Sequence, residues 1–138
     1  MITIERYVNV PKKRISLIKE IAGLVVSDLD LTSIDITINI YPSVEMEGCD
    51  GFCYSQKNID IVNKREVEGL FKVIAHELRH AYQFKNGLID CDGKWRGKKY
   101  KNYFEDGSEL NAERYERIVW RKHKNSLTYL QKWCIIFT

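Results

Sequence analysis

The sequence predicts one α+β domain spanning residues 1–138, with a small antiparallel or mixed sheet on one side of a central helix. Helical and strand patterns follow one another in the order helix, strands, helix, long loop, helix. No repeat, low-complexity tract or linker divides the chain, and its length suits one domain. We therefore expect a single hydrophobic core shared by all the elements.

The first half of the chain predicts one helix and three strands. Residues 12–26 place apolar side chains at helical spacing after Pro11, which suits a first helical turn. Residues 34–41 alternate strictly between isoleucine and other side chains, a pattern typical of a half-buried strand, and Pro42 ends it. Residues 51–63 predict a hairpin-like pair of short strands.

The second half predicts two further helices joined by a long loop. Residues 65–86 form a helical pattern closed by the Asn86–Gly87 pair. A polar, glycine-punctuated loop covers about 88–107, and another helix runs from Ser108, the expected N-cap, to about residue 124. The apolar tail, 126–138, is expected to pack as either a helix or a strand.

Composition narrows the class of protein. The sequence is 44% hydrophobic and 30% charged, which is typical of a soluble globular domain. No apolar run approaches the roughly 20 residues of a membrane span, and the first residues do not resemble a signal peptide. We expect a cytoplasmic protein without a membrane partner.

One basic stretch, residues 94–101, could contact phosphates or an acidic substrate, although a solvated loop is the simpler interpretation. The net charge is only +3, and no recognition helix is evident. A nucleic-acid partner is therefore not expected.

The four cysteines are expected to be reduced thiols, since the chain carries no secretion signal. Cys49 and Cys53 have C-x3-C spacing, and with Cys91 they could join a structural zinc site or a disulfide. No second close pair accompanies them, so free thiols, Cys134 included, are the favoured interpretation.

Residues 76–80, HELRH, combine two histidines four residues apart with a glutamate after the first. On a helix, His76 and His80 lie one turn apart on the same face and can present two imidazoles to one metal ion. Glu77 projects beside them, where its carboxylate can reach a water held by the metal. The apolar stripe of this helix lies on roughly the opposite side and comprises Val67, Leu70, Phe71, Ile74, Leu78, Ala81 and Tyr82. Two solvent-facing histidines on a polar face remain the alternative.

The third ligand is expected from a second helix. The extended H-E-x-x-H-x-x-G-x-x-H pattern is absent, because Gln83 and Asn86 stand at its glycine and histidine positions. In the segment GSELNAERYE, Glu109 occupies the first turn, and Glu113 follows on the same face. Glu109 can close the metal site while Glu113 accepts the N–H of a ligating histidine. A solvated, salt-bridged helix surface is the competing interpretation of this charged segment.

HELRH followed about thirty residues later by E-x-x-A-E-x-Y resembles the gluzincin metallopeptidases, in particular the small ImmA/IrrE-like and phage-borne minimal members. The resemblance covers about residues 51–120 and implies a zincin-like fold, with a small twisted sheet packed on the active-site helix and a second ligand-bearing helix. It implies one zinc ion per chain held by His76, His80 and Glu109, with Glu77 as the general base.

The chain departs from the family at two positions. Arg79 stands where the family often has glycine, and is expected to be a surface residue or a loop anchor. Glu113 stands where Asn or Asp is usual. Ala112 matches the small residue that lets the two helices approach one another.

The activity implied by the resemblance is hydrolysis of a peptide bond by a zinc metalloendopeptidase. The donor that stabilises the oxyanion is expected to be Tyr115, the closest in sequence to the third ligand among the available Tyr100, Tyr103, Tyr115 and His123. An extended substrate is expected to pair with an edge strand at Asn58–Val62. By resemblance, the substrate is a protein or peptide, such as a repressor or another regulator in a bacterium or phage.

Three other functions remain open. The first is a catalytically silent zincin-like binding module, against which an intact Glu77 argues. The second is a metal-dependent hydrolase of a non-peptide amide. The third is a protease that uses residues 94–101 to find nucleic acid.

Overall fold

Four strands and three helices form an α+β fold in the residues that the computed structural model describes, 1–42, 49–90, 94–97 and 106–127. In chain order the elements are β1 (Ile2–Arg6), α1 (Lys12–Asp28), β2 (Ile36–Tyr41), β3 (Gly51–Ser55), β4 (Asn58–Val62), α2 (Val67–Lys85) and α3 (Gly107–His123). The predicted α+β class is confirmed, and of the antiparallel and mixed sheets that the sequence left open, the structure has the mixed one.

The sheet has the strand order β1-β2-β4-β3. β1, β2 and β4 run parallel, and β3 pairs antiparallel with β4 at one edge. The expectation that Asn58–Val62 is an edge strand is therefore wrong, because β4 is paired on both sides. The edge strand beside it is Gly51–Ser55, the other half of the same hairpin.

The core lies between the sheet and the helices α1 and α2. Isoleucines that alternate along β2 and β4 are fully buried against helical side chains such as Leu17, Phe71 and Ile74. Burying such apolar side chains is the main favourable contribution to folding. This packing fixes α2 across β3 and β4, and α3 packs in turn on α2.

The strand β1 precedes the first predicted element. Its five residues contain only two isoleucines, too few to give a clear alternation, and both are only partly buried. Its partner is β2, whose Ile36 lies opposite Ile2 after the intervening helix α1. Such a long-range parallel pairing leaves no local signal in the sequence.

Helix α3 begins one residue before the expected cap. Asp106, not Ser108, is the N-cap, and its Oδ1 accepts from the backbone N–H of Ser108 at 3.0 Å and from its hydroxyl at 2.6 Å. A carboxylate at this position also interacts favourably with the helix dipole. The cap fixes the first turn of α3, which carries Glu109.

Within the described ranges, no helix is both long enough and apolar enough to cross a membrane. The predicted packing of the tail falls outside the described residues from position 128 onward.

Candidate metal centre

Helix α2 brings His76 and His80 together on the face that α3 covers. Their side chains are 15% and 8% exposed, and their rings meet edge to face with centroids 4.9 Å apart. The alternative of two solvent-facing histidines is therefore wrong. The opposite face of α2 is buried in the core through Leu70, Phe71, Ile74, Leu78 and Ala81, as the stripe predicted.

Glu109, in the first turn of α3, places its carboxylate between the two imidazoles. Oε2 lies 2.9 Å from His76 Nε2, and Oε1 lies 2.9 Å from His80 Nε2. One ligand atom from each of the three residues falls within 4.8 Å of the others, and this is the one such group of His, Cys, Asp and Glu among the described residues. The fully buried Ala112 lies one turn further along α3, where a larger side chain would hold the helices apart.

Every imidazole nitrogen of the pair faces an oxygen. His76 Nδ1 lies 3.5 Å from Glu116 Oε1, and His80 Nδ1 lies 2.7 Å from Gln83 Oε1, while both Nε2 atoms face Glu109. A neutral imidazole carries only one N–H, so it cannot donate to two oxygens at once. The arrangement requires either a second proton on each ring or a cation among the Nε2 atoms and the carboxylate.

Of these two possibilities, the hydrogen-bond geometry at His80 favours a cation over a second proton. Its Nε2 is buried and makes no hydrogen bond, although the Glu109 oxygen lies at 2.9 Å. Two imidazole nitrogens and one carboxylate form the donor set that zinc uses in open sites, with a further position left for water or substrate. The residues present therefore fit a zinc ion.

Electrostatic interactions within the group are strong in the metal-free protein. Burial alone lowers the pKa of His76, but the Glu109 and Glu116 carboxylates outweigh it and raise that pKa to about 10. The pKa of His80 is also raised, because Glu109 outweighs the effect of its burial. Burial raises the pKa of Glu109, yet the two histidines outweigh it and hold that pKa well below its usual range. A site with this much negative potential attracts a divalent cation in place of the protons.

Glu77 lies beside the group and against the edge strand. Its side chain is buried, and a Cβ at Gly51 would lie only 2.9 Å from its Oε1 and 2.8 Å from its Cγ. Burial raises the pKa of Glu77 to about 7, although the nearby His80 and His76 lower it. The Glu77 carboxylate is thus held beside the two histidines and Glu109, and its pKa lies close to neutral pH.

Glu113 is expected to orient a ligand histidine, but the carboxylate that does so belongs to Glu116, one helical turn further along α3. Glu113 Oε2 lies 4.0 Å from Arg117 Nη2, whereas the carboxylate that contacts His76 Nδ1 belongs to Glu116. The sequence offered a signal, since Glu116 lies one helical turn from Ala112 and two turns from Glu109, on the face turned toward α2.

The expected role of Tyr115 is not supported by its contacts. Its hydroxyl donates to Asp28 Oδ2 at 2.8 Å, which commits its only proton to the end of α1. Burial and the Asp28 carboxylate raise the pKa of Tyr115 well above its usual range. His123 is also close to Asp28, at 3.7 Å, and is half-buried. Tyr100 and Tyr103 fall outside the described residues.

Arg79, expected to be a surface residue or a loop anchor, is half-buried and contacts side chains of both α2 and α3. Its Nε donates to Asn111 Oδ1 at 2.8 Å, and its guanidinium lies over the rings of Tyr82 and Tyr115. It therefore joins α2 to α3 directly beside the metal group.

Cys49 and Cys53 are free thiols, so the C-x3-C pair does not form a disulfide. Cys53 donates to the carbonyl of Ser55, and burial raises the pKa of its thiol well above the usual range. Cys91 and Cys134 lie outside the described residues.

The described part of the basic stretch is 94–97, where Arg96 lies over the ring of Trp95. Trp95 packs on Gly107, at the start of α3, so closely that a Cβ there would lie 2.3 Å from its indole nitrogen. Residues 98–101 of the stretch are outside the described ranges.

No family model, curated protein or solved structure was found to match this chain. The interpretation of the site therefore depends on its own geometry and chemistry.

Proposed function

We propose that this protein is a zinc-dependent metalloendopeptidase with a minimal zincin-like fold. The observation that carries the proposal is the meeting of His76, His80 and Glu109 from two helices, with their ligand atoms within 4.8 Å of one another. The buried Glu77 beside them is the second requirement, because a purely structural metal site has no use for a base.

His76, His80 and Glu109 would hold one zinc ion per chain. When bound, zinc supplies a Lewis acid that polarises the scissile carbonyl and acidifies a water. Glu116 orients the His76 imidazole through its Nδ1 atom, so that the Nε2 atom of His76 faces the Glu109 carboxylate. This arrangement uses only side chains already in place.

Glu77 acts as the general base and then as the general acid. Its carboxylate accepts a proton from the attacking water as the new C–O bond forms, and returns it to the amine as the C–N bond breaks. Its raised pKa, about 7 in the metal-free protein, suits both halves of this transfer. The Tyr115 hydroxyl, bound to Asp28, has no part in the mechanism we propose.

The edge strand β3 is the surface on which an extended peptide would bind. Gly51 of β3 touches Glu77, so a segment paired with this strand passes the base. Gly51–Ser55 thus takes the place that the sequence analysis gave to Asn58–Val62. A flexible or exposed segment of a protein can pair with an edge strand in this way, and a regulator is the substrate that the resemblance to the gluzincins implies.

Metal content and peptide cleavage test the proposal together. We expect about one zinc per chain by elemental analysis of the wild type, and a sharp loss in Glu109→Ala. We expect Glu77→Gln to keep the zinc and lose cleavage of a random peptide library by 100-fold or more. Glu113→Gln is the matched control on the same face of α3 and is expected to keep both.

The outcomes separate the alternatives. Zinc retained in the wild type without cleavage of any peptide supports the binding module, and cleavage of small amides alone supports the non-peptide hydrolase. No zinc in the wild type, even after zinc is supplied, overturns the proposal.

A further inference from the structure

Gln83 is a buried polar side chain that the proposed hydrolysis does not itself use. It is fully buried beside His80, one turn further along α2. It stands at the position where the extended H-E-x-x-H-x-x-G-x-x-H pattern has glycine, so that pattern gives it no role. A buried amide must have its donors and acceptor paired, and its partners show what it does.

The donor side of Gln83 has a fixed direction. Its Nε2 donates to the backbone carbonyl of Ser108 at 3.0 Å and to Asn111 Oδ1 at 3.1 Å. A carbonyl oxygen only accepts, so the amide nitrogen of Gln83 must face α3. Its Oε1 is left facing His80.

Asn111 is held in the matching direction by Arg79. The Arg79 Nε donates to Asn111 Oδ1 at 2.8 Å. A guanidinium only donates, so the oxygen of Asn111 must face it, and this same oxygen accepts from Gln83. Arg79 therefore reinforces the orientation that the Ser108 carbonyl imposes.

The chain of contacts ends on His80. Gln83 Oε1 lies 2.7 Å from His80 Nδ1 and, as an acceptor, requires the proton to be on that nitrogen. A neutral His80 then has its lone pair on Nε2, the atom that faces Glu109. We infer that Gln83 is a positioning residue that fixes the tautomer of His80 for metal binding, and that Arg79 and Asn111 fix the direction of its amide.

This inference deepens the proposed function and rests on it. Groups that orient metal-binding histidines typically contribute 10- to 100-fold to metal affinity. We therefore expect Gln83→Leu, which keeps the volume but removes the acceptor, to weaken zinc binding by about 10- to 100-fold. Arg79→Leu is expected to weaken it less, because the Ser108 carbonyl still orients Gln83.

Gln83→Glu separates positioning from packing. It keeps an acceptor for His80 but loses both donor contacts to α3, so thermal stability of the metal-free protein should fall while zinc affinity is kept. In Gln83→Leu, by contrast, zinc affinity should fall by more than the loss of thermal stability accounts for. Zinc affinity is measured by competition with a chromophoric chelator, and thermal unfolding is followed by circular dichroism.

A nitrogen NMR experiment on the zinc-loaded wild type reads the tautomer directly. We expect a protonated Nδ1 and a coordinated Nε2 on His80. Zinc binding within threefold of wild type in Gln83→Leu, or coordination through Nδ1, would overturn the inference and leave the proposed function intact. A wild type that binds no zinc overturns the proposed function and the inference with it.

Discussion

At the scale of single residues, the position of Glu77, the base we propose, depends on the absence of a side chain at Gly51. Gly51 begins the edge strand, and a Cβ there would lie 2.8 Å from Glu77 Cγ and 2.9 Å from the carbonyl of Asp60. The Asp60 carbonyl belongs to the backbone of the neighbouring strand β4, so an added Cβ would shift β3 as well as displace the Glu77 side chain. Glu77 can thus occupy its position only because Gly51 of β3 has no Cβ.

Gly51→Ala is therefore expected to displace Glu77 while leaving the three metal ligands in place. Peptide cleavage should fall by at least tenfold at unchanged zinc content, because a displacement of about 1 Å at a reacting group can cost on the order of 100-fold. Gly23→Ala, where no atom lies within 4 Å of the added Cβ, is the matched control. The control should keep full activity and gain about 0.5–1 kcal/mol in helix α1. Equal activity of both variants would contradict this account.

At the scale of elements, α3 is held to α1 through one carboxylate. Asp28, at the last position of α1, accepts from the Tyr115 hydroxyl and from Lys122 of α3. Burial raises the pKa of Asp28, but these two partners outweigh it and the net shift is downward. A lowered folded pKa means that the contact stabilises the protein above the unfolded value of 3.8 and that this stability is lost as the pH falls through the folded pKa.

We expect Asp28→Asn to reduce the free energy of unfolding by about 1–2 kcal/mol at neutral pH. The difference from wild type should stay constant from pH 7 to about pH 5 and shrink as the pH falls below the unfolded value of 3.8, because the carboxylate is then protonated in the unfolded chain before it is protonated in the folded one. Denaturant unfolding at a series of pH values measures it. Asp30→Asn is the control in the following turn, since its backbone has φ of 55°, a conformation that Asn adopts readily. A difference that did not shrink as the pH fell below 3.8 would show that Asp28 acts through packing instead of charge.

At the scale of the whole molecule, the group of His76, His80 and Glu109 forms a bridge between α2 and α3. Helix α2 is anchored in the core through its contacts with α1 and the sheet, whereas α3 packs chiefly on α2. A ligand that binds only the folded form stabilises it in proportion to its excess over Kd. Zinc should therefore stabilise the docking of α3 more than any other part of the fold.

Zinc at 100 times its Kd is expected to raise the free energy of unfolding by about 2.7 kcal/mol. The Tm should rise accordingly, and a chelator should reverse that rise. The Tm of Glu109→Ala should not respond to zinc. Hydrogen exchange should slow most in the backbone of α3 on zinc addition. Uniform slowing across the sheet and α1 would contradict the bridge.

Much of this fold and site could be predicted from local patterns. The helices around His76 and Glu109, the alternating strand at 36–41 and the approach of His76 to His80 all follow from spacing along one element. What could not be predicted depends on neighbours across the fold. The parallel partner of β2 is separated by a helix, and the pairing of β4 on both sides follows only from the sheet order.

The misassigned site residues have the same cause. Glu113 lies one turn from Glu109, and Glu116 lies one turn from Ala112. The packing of α3 on α2 decides which of the two glutamates reaches His76. Tyr115 is close in sequence to Glu109, but its hydroxyl is directed by Asp28 at the far end of another element. Proximity along the chain does not determine the direction of a side chain across a helix interface.

The division of the proposed ligands between two helices has a consequence for when the site is completed during synthesis. His76 and His80 leave the ribosome some thirty residues before Glu109 and the Ser108 carbonyl, which together complete the site. Until α3 has emerged and docked, the nascent chain offers zinc only two imidazoles. If the protein is the peptidase we propose, a chain still being translated, or one truncated before Gly107, would lack the third ligand and could not cleave its neighbours.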